Sequence, residues 1–180
     1  MFSHIDKDNI VSPKGTIKRD KPLAELSREE VYSQKHATFG KLSFTDKLAF
    51  GAAAIAIENA NFDLSNTTGG LSAGILLHTN IGSFFRDCEF MDSIRANQPS
   101  PALFSATLPS SPIAEIAIVF GLKGANKVIF CDNEGNDSPL SLAEKTANLM
   151  LAECSELLFV SINICENNIE NSFADARIIF

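Results

Sequence analysis

Leu71–His78 and Leu157–Ile164 are two short, almost unbroken apolar runs. Continuity over so few residues predicts strands covered on both faces, the habit of parallel sheets. Lys127–Cys131 reads as a third strand, and Ala174–Phe180 as the last. Helical stretches alternate with these. Ser43 with Asp46 three residues later forms a capping box. The helix body behind it, Lys47–Ile57, is rich in small residues and suited to lie close against a sheet. Asn80–Arg95 reads as a second helix with Phe84, Phe85, Cys88, Met91 and Ile94 turned inward, closed by Gln98-Pro99-Ser100-Pro101. Ser111-Pro112 supplies an N-cap and N1 for the next helix, and Gly121 stops it. Ser138-Pro139 opens the last helix, whose Leu140, Ala143, Ala147 and Met150 keep helical spacing. Strands alternating with helices predict an α/β sheet.

The N-terminal part is less regular. Asp6, Lys7 and Asp8 interrupt Phe2–Val11 and make it a poor strand by pattern. Ser12-Pro13-Lys14-Gly15 is a turn, and Thr16–Thr38 reads as a polar surface connection with some helix around Ser27–Tyr32.

Composition narrows the class. A chain of 180 residues suits one domain, 1–180, with a substantial core, and an apolar fraction of 45% is that of a folded globular protein. A net charge of −7 argues against a nucleic-acid or anionic-membrane surface. Met1–Ile10 carries charges where a signal peptide needs an apolar run, and no segment is long enough in apolar residues to span a bilayer. The four cysteines, Cys88, Cys131, Cys154 and Cys165, have neither CxxC spacing nor disulfide-scaffold density, as reduced thiols in a cytosolic protein would.

Three stretches then carry a resemblance. Gly74-Ile75-Leu76-Leu77-His78-Thr79-Asn80-Ile81-Gly82-Ser83 looks like the strand and glycine turn of β-ketoacyl synthases, with His78 where a glycine is usual. Ser100–Pro109 followed by Ala114–Ile118 resembles the segment leading into the helix before that family's nucleophile strand. Phe120-Gly121-Leu122-Lys123-Gly124-Ala125-Asn126 is similar to the glycine-rich turn that enters the strand. Leu42–Glu58 and Ile10–Pro13 fit more loosely, so the likeness runs in order along nearly the whole chain. It is closest to the short ketosynthase-like proteins of aryl-polyene and flexirubin-type pigment pathways.

The resemblance implies a thiolase-like half: a five-stranded mixed sheet, βαβαβαββ, with helices on both faces. It places the end of the chain at the end of the first half of a synthase, before the family's two active-site histidines. The chemistry needs a cysteine at the N-terminus of the helix after the nucleophile strand, where helix dipole and backbone N–H groups lower the thiol pKa and hold the oxyanion. Counting forward from Gly124 puts that position at Asn133; counting back from Leu157–Ile164 puts it at Asn136. Neither side chain attacks a thioester, and the disagreement between the counts indicates a rebuilt loop. Cys131 is the nearest thiol, beside Asp132, whose charge raises a thiol pKa. It reads as a strand cysteine that does not react selectively.

No catalytic residue is therefore expected, with Cys131 as the weak candidate. His78, Phe104, Cys131, Asn133 and Asn136 are candidates for contact with an acyl chain or a partner. His4 and His36 have no acidic or cysteine neighbours at metal-ligand spacing, so no metal site and no cofactor is expected. Thr68–Gly74 is glycine-rich but leads into a strand, without the geometry of a phosphate cradle. Asp132–Asp137 lacks the length and terminal glutamate of an EF-hand loop. In the family the helix Ser138–Glu153 belongs to a layer shared between halves, and its apolar stripe is wider than one contact face needs. That width predicts a homodimer or a heterodimer with a full-length ketosynthase, and an acyl carrier protein is a possible further partner. The implied function is a non-catalytic, chain-length-factor-like subunit of fatty-acid or polyketide-type synthesis; the alternative is a thioester-handling acyltransferase or hydrolase using Cys131.

Overall fold

Backbone pairing joins seven strands into one sheet in the order β3-β2-β1-β7-β6-β4-β5. The computed structural model describes residues 2–60, 73–131, 139–153, 158–165 and 168–179. The strands are β1 (Phe2–Ile5), β2 (Asn9–Ser12), β3 (Gly15–Lys18), β4 (Ala73–Thr79), β5 (Asn126–Phe130), β6 (Leu158–Cys165) and β7 (Phe173–Ile179). The helices are α1 (Arg28–Val31), α2 (Phe44–Asn59), α3 (Phe84–Arg95), α4 (Pro101–Ser105), α5 (Ser111–Phe120) and α6 (Pro139–Glu153). β4 runs parallel to β5 and β6; β7 is antiparallel to both β6 and β1. Strands β1, β4, β5, β6 and β7 with α2, α5 and α6 make the βαβαβαββ unit the resemblance implies.

The sheet has seven strands rather than five because the N-terminal stretch is a meander. Asp6-Lys7-Asp8, the interruption that makes Phe2–Val11 a poor strand by pattern, is the turn between β1 and β2. The Asp6 carboxylate accepts from the N–H groups of Asp8 (2.8 Å) and Asn9 (2.6 Å) and fixes that turn. Ser12–Gly15 is a turn as expected, and β3 occupies the start of what reads as a surface connection. The rest of that connection is not merely surface: Leu23, Leu26, Val31 and Tyr32 are buried.

α2 is the centre of the core. Its capping box is formed, with Ser43 Oγ accepting from the Asp46 N–H at 3.0 Å and Asp46 accepting from the Ser43 N–H at 3.2 Å. From Leu48 to Ile57 every residue is buried, as in a helix apolar all round and enclosed by its neighbours. Small residues permit the approach: a Cβ on Gly51 would stand 3.0 Å from Ile5 Cδ1 and 3.1 Å from Val31 Cγ1. Phe50 anchors an aromatic cluster with Tyr32, His36, Phe39 and Phe120, at centroid distances of 4.7–5.9 Å. With α5 it covers one sheet face, represented by Ile75, Leu77, Val160, Ile162, Ile164, Ala176 and Ile178. α5 begins at Ser111, one residue after its N-cap Ser110, and ends on Gly121 in the left-handed region (φ 65°), the stop its sequence calls for.

α6 covers the opposite face, with Ala147 against Leu76 and Met150, Leu151 and Ile179 around them. Beyond α6 the same face carries two side-chain pairs: His4 with Asp175, and Arg177 with Glu144 at 2.6 Å. The outer side of α6 exposes Lys145, Asn148, Leu149 and Ala152, so among the described side chains its bare apolar surface is Leu149. The wide stripe expected of this helix is therefore partly absorbed by the sheet; Leu140 and Ala143 have side chains outside the described ones.

Further exposed apolar side chains lie on and around α3, α4 and β5. α3 buries none of its residues, contrary to the inward face its periodicity predicts. Phe84 (56% exposed), Met91 (46%) and Ile94 (42%) face outward, as do Phe104, Leu108 and Phe130, each 61% exposed. α3 and α4 pack on each other through Phe90 and Phe104, rings 5.3 Å apart, in an excursion between β4 and β5. β5 is the sheet edge. Periodicity identifies an apolar face of a helix but not what that face meets.

Candidate functional site

The carboxyl ends of parallel strands are where α/β sheets gather ligands and reactive groups. Here β4 and β5 end side by side in the register Thr79↔Phe130, and Cys131 follows directly, its N–H donating to the Thr79 carbonyl at 3.0 Å. Side chains alternate along β4. Leu77 and Thr79 face the crevice under α2 and α5, while His78, two residues on from Leu76, lies on the face that carries α6. This register brings the His78 Nδ1 within 3.5 Å of the Cys131 Sγ. His78 is completely buried, and among the described residues its Nε2 has no hydrogen-bond partner. Burial pushes the imidazole pKa down to about 4. A ring held neutral at pH 7 accepts a hydrogen bond from a thiol but is a poor base for removing its proton.

Around this pair the backbone is tightly turned. Thr79 Oγ1 accepts from the Gly82 N–H at 2.9 Å. Gly82 has φ 60°, which favours glycine, and a Cβ there would lie 2.7 Å from the Phe130 ring, which would have to swing aside. The Phe130 ring thus lies over the turn at Gly82, and the rest of it is exposed.

Two cavities border α3. Ser43, Asp46, Ser83, Arg86, Ser111 and Pro112 line a crevice where the N-terminal ends of α2, α3 and α5 converge. Its free volume of about 10 Å³ is room for one water molecule. Phe44, Phe85, Cys88 and Ile169, with Arg86 and Glu89 at the rim, border a larger open groove of about 620 Å³. That size is within the range of small-molecule pockets.

Of the sequence candidates, the structure brings His78 and Cys131 together. Phe104 stands apart from them on α4 in the exposed layer. Asn133 and Asn136, and the acidic loop that contains them, lie outside the described residues, as does most of Thr68–Gly74. Sequence reasoning placed Thr79 and Gly82 in a strand and glycine turn without naming them as site residues, and it missed Phe130. It also gave no signal for the thiol–imidazole contact, which depends on parallel register between segments 53 residues apart. His4 and His36 do have acidic neighbours in space, Asp6 and Asp175 for the first and Glu115 for the second. Among the described residues no group of three or more His, Cys, Asp or Glu side chains has the geometry to hold a metal ion, and no helix is long and apolar enough to cross a membrane.

The geometry makes a labelling prediction. With neutral iodoacetamide at pH 7, exposed Cys88 is expected to react first, and half-buried Cys131 slowly. Mass spectrometry of the labelled protein checks this. Rapid labelling abolished by Cys131→Ser would mean an activated thiol.

No protein-family model matches this sequence, and no curated protein does. Its fold does match a solved one. The chain is similar to a chain in the structure described as "Ketosynthase (ApeO) in Complex with its Chain Length Factor (ApeC) from Xenorhabdus doucetiae", with a TM-score of 0.66 and 13% identity over 99% of this chain and 76% of that one. The shared feature is the ketosynthase fold of the thiolase type. The matched chain is the longer of the two, since 99% of this chain covers 76% of it.

Proposed function

We propose that this chain is a non-catalytic, chain-length-factor-like subunit, folded as one domain over 1–180, that works bound to a ketosynthase in fatty-acid or polyketide-type synthesis in the cytoplasm. The observation that carries the proposal is the surface formed by α3, α4 and β5. Phe84, Phe104, Leu108 and Phe130 are exposed along the segment from α3 to β5, and β5 is the last strand of the sheet among the described residues. Monomeric proteins seldom leave large apolar side chains clustered beside a free edge. Lys127 guards the start of β5, but Val128, Ile129 and Phe130 carry no charge. The likeness to a chain from a ketosynthase–chain length factor complex supports a ketosynthase as the partner. The absence of cysteine at Asn133 and Asn136 supports a subunit that contributes surface rather than a nucleophile. The acyl carrier protein would then meet the assembled pair.

The test is binding to a purified ketosynthase of an aryl-polyene pathway, by analytical ultracentrifugation, with the protein alone as the reference for self-association. Phe104→Glu with Phe130→Glu is expected to weaken the association at least about thirtyfold, the weight of an interface hot spot. Leu149→Glu, on the outer side of α6, is expected to leave it unchanged. Loss of binding in the α6 variant alone would move the interface to the helix face. A protein that stays monomeric at micromolar concentration and binds no ketosynthase would refute the subunit reading.

The 3.5 Å approach of His78 to Cys131 favours a second reading, acyl transfer or hydrolysis through the thiol. Thioester turnover by the pure protein, lost in Cys131→Ser, would establish it.

A further inference from the structure

His4 stands at the centre of the first strand with a carboxylate on each side of its ring. Its Nδ1 is 2.6 Å from Asp175 Oδ1 on β7, and its Nε2 is 3.0 Å from Asp6 Oδ2 in the turn after β1. The arrangement is built into the fold at three points. His4 and Asp175 are direct cross-strand partners in the β1–β7 register. Asp6 is held by its other oxygen, which accepts from the N–H groups of Asp8 and Asn9, so Oδ2 is aimed at the ring. The His4 ring also lies against Phe173, with centroids 5.8 Å apart.

A neutral imidazole has one N–H, and an imidazolium has two. Both carboxylates are therefore served by hydrogen bonds in the protonated state alone, and the neutral ring leaves one of them facing a lone pair. Asp175 is the costlier one to abandon, because its side chain is 11% exposed.

We propose that His4 is a proton-dependent clasp that fastens the N-terminal strand to the last strand of the sheet, closed when the ring bridges Asp6 and Asp175 and loosened when it loses its second proton. The surrounding charges act in the same direction. From the turn after β1 come Asp6, Lys7 and Asp8, and from the turn before β7 comes Glu170; these line one cleft of about 220 Å³ with the ring. From β7 come Asp175 and, two residues along, Arg177, whose guanidinium is engaged by Glu144 and lies over the Phe2 ring. β2 offers uncharged Val11 opposite His4, and α2 meets the other face of β1 through Ser3. Four carboxylates against Lys7 near the ring favour the imidazolium. The His4 pKa is accordingly raised above its ordinary value, first by the bond to Asp175, against burial, with Asp6 adding to it. For Asp6, burial alone would raise the pKa; the bonds from His4, Asp8 and Asn9 outweigh it and lower the pKa.

A histidine with a raised folded pKa contributes its stability in full below about pH 6.5 and loses it as pH rises through the folded value. Releasing β1 loosens β2 and β3, which pair with the sheet through it, and frees the edge of β7.

The test is native-state amide hydrogen exchange of the full chain between pH 6 and pH 9, corrected for intrinsic rates. Protection at residues 3–5 and 174–177 is expected to fall on the order of tenfold across that range, the loss of one charge-assisted hydrogen bond. Protection within α2 and β4 is expected to hold, and His4→Gln is expected to flatten the β1 profile. An NMR titration of the His4 ring in the unaltered protein provides a check that needs no variant. A midpoint above 6.5, matched by shifts of the β1 amides, supports the clasp. A midpoint at or below 6.5, a pH-independent β1, or an equal loss of protection throughout the sheet would each overturn it.

Discussion

Gly124→Ala is expected to destabilise the protein by about 3 kcal/mol or more, the upper end of overpacking effects. The glycine sits where the chain enters β5, and its N–H donates to the Ala73 carbonyl at 2.9 Å. A Cβ at this position would lie 2.4 Å from the Ala73 carbonyl carbon, 2.5 Å from the Gly74 nitrogen and 2.6 Å from the Ala73 oxygen. These are backbone atoms at the start of β4, so no side-chain rotation relieves the clash. The strand itself must move, and the Ile75 N–H to Ala125 carbonyl bond (3.0 Å) would move with it. Against a total stability of about 5–15 kcal/mol, such a loss is severe. It would lower the thermal midpoint by about 6–12 °C in a domain of this size. Gly121→Ala is the internal control. Gly121 has φ 65° but open space around its missing Cβ, so the cost there is conformational strain alone, about 1–2 kcal/mol. Urea unfolding of both variants checks the ranking. Equal losses, or a Gly124→Ala variant as stable as the parent, would mean that β4 and β5 do not approach this closely.

The two glycines mark how far the sequence could be read. Gly121 as a helix stop follows from its position after an apolar helix, and the capping box of Ser43 and Asp46 follows from spacing. Both are local devices whose physics lies within a few residues. The covered strands β4 and β6 were legible for the same reason, as short continuous apolar runs. What could not be read depends on distant neighbours. Phe84, Met91 and Ile94 recur at helical spacing whether they face a sheet or solvent, and here they face outward. β1 and β2 have 4 residues each, too few for alternation to register against Asp6 and Asp8 in the turn between them. Asp175 is 171 positions from the histidine it bonds, so nothing near either residue announces the pair. Gly124 was legible as part of a glycine turn, but the reason for it, a carbonyl of β4, was not. The same limit applies to the candidate site. His78 and Cys131 were each named by type and place, but their contact follows from strand register.

That contact has its largest measurable consequence in acid. His78 is fully buried with its pKa pushed down to about 4, whereas an unfolded histidine titrates near 6.5. Between these values the unfolded chain binds a proton that the folded chain refuses, so stability falls as pH is lowered, by about 1.4 kcal/mol per unit. Over the whole window the loss approaches about 3 kcal/mol, complete once the pH is below both values. The sign is opposite to that at His4, whose contribution is lost on the alkaline side, and the window lies above the one in which Asp6, with its lowered pKa, gives up its contribution. Urea unfolding at pH 6.5 and pH 4.5 is therefore expected to report a much weaker protein at the lower pH. In His78→Gln most of that difference is expected to vanish, because glutamine takes up no proton in this range. A wild-type protein equally stable at both values would mean that His78 charges freely in the folded state, and hence that water reaches it. An imidazole that did so could also take the Cys131 proton near neutral pH. Acid stability and thiol reactivity are thus expected to change together: a protein labile at pH 4.5 should hold Cys131 as an unreactive thiol at pH 7. One that resists acid should label rapidly there, and would favour thioester chemistry over the role of a silent subunit.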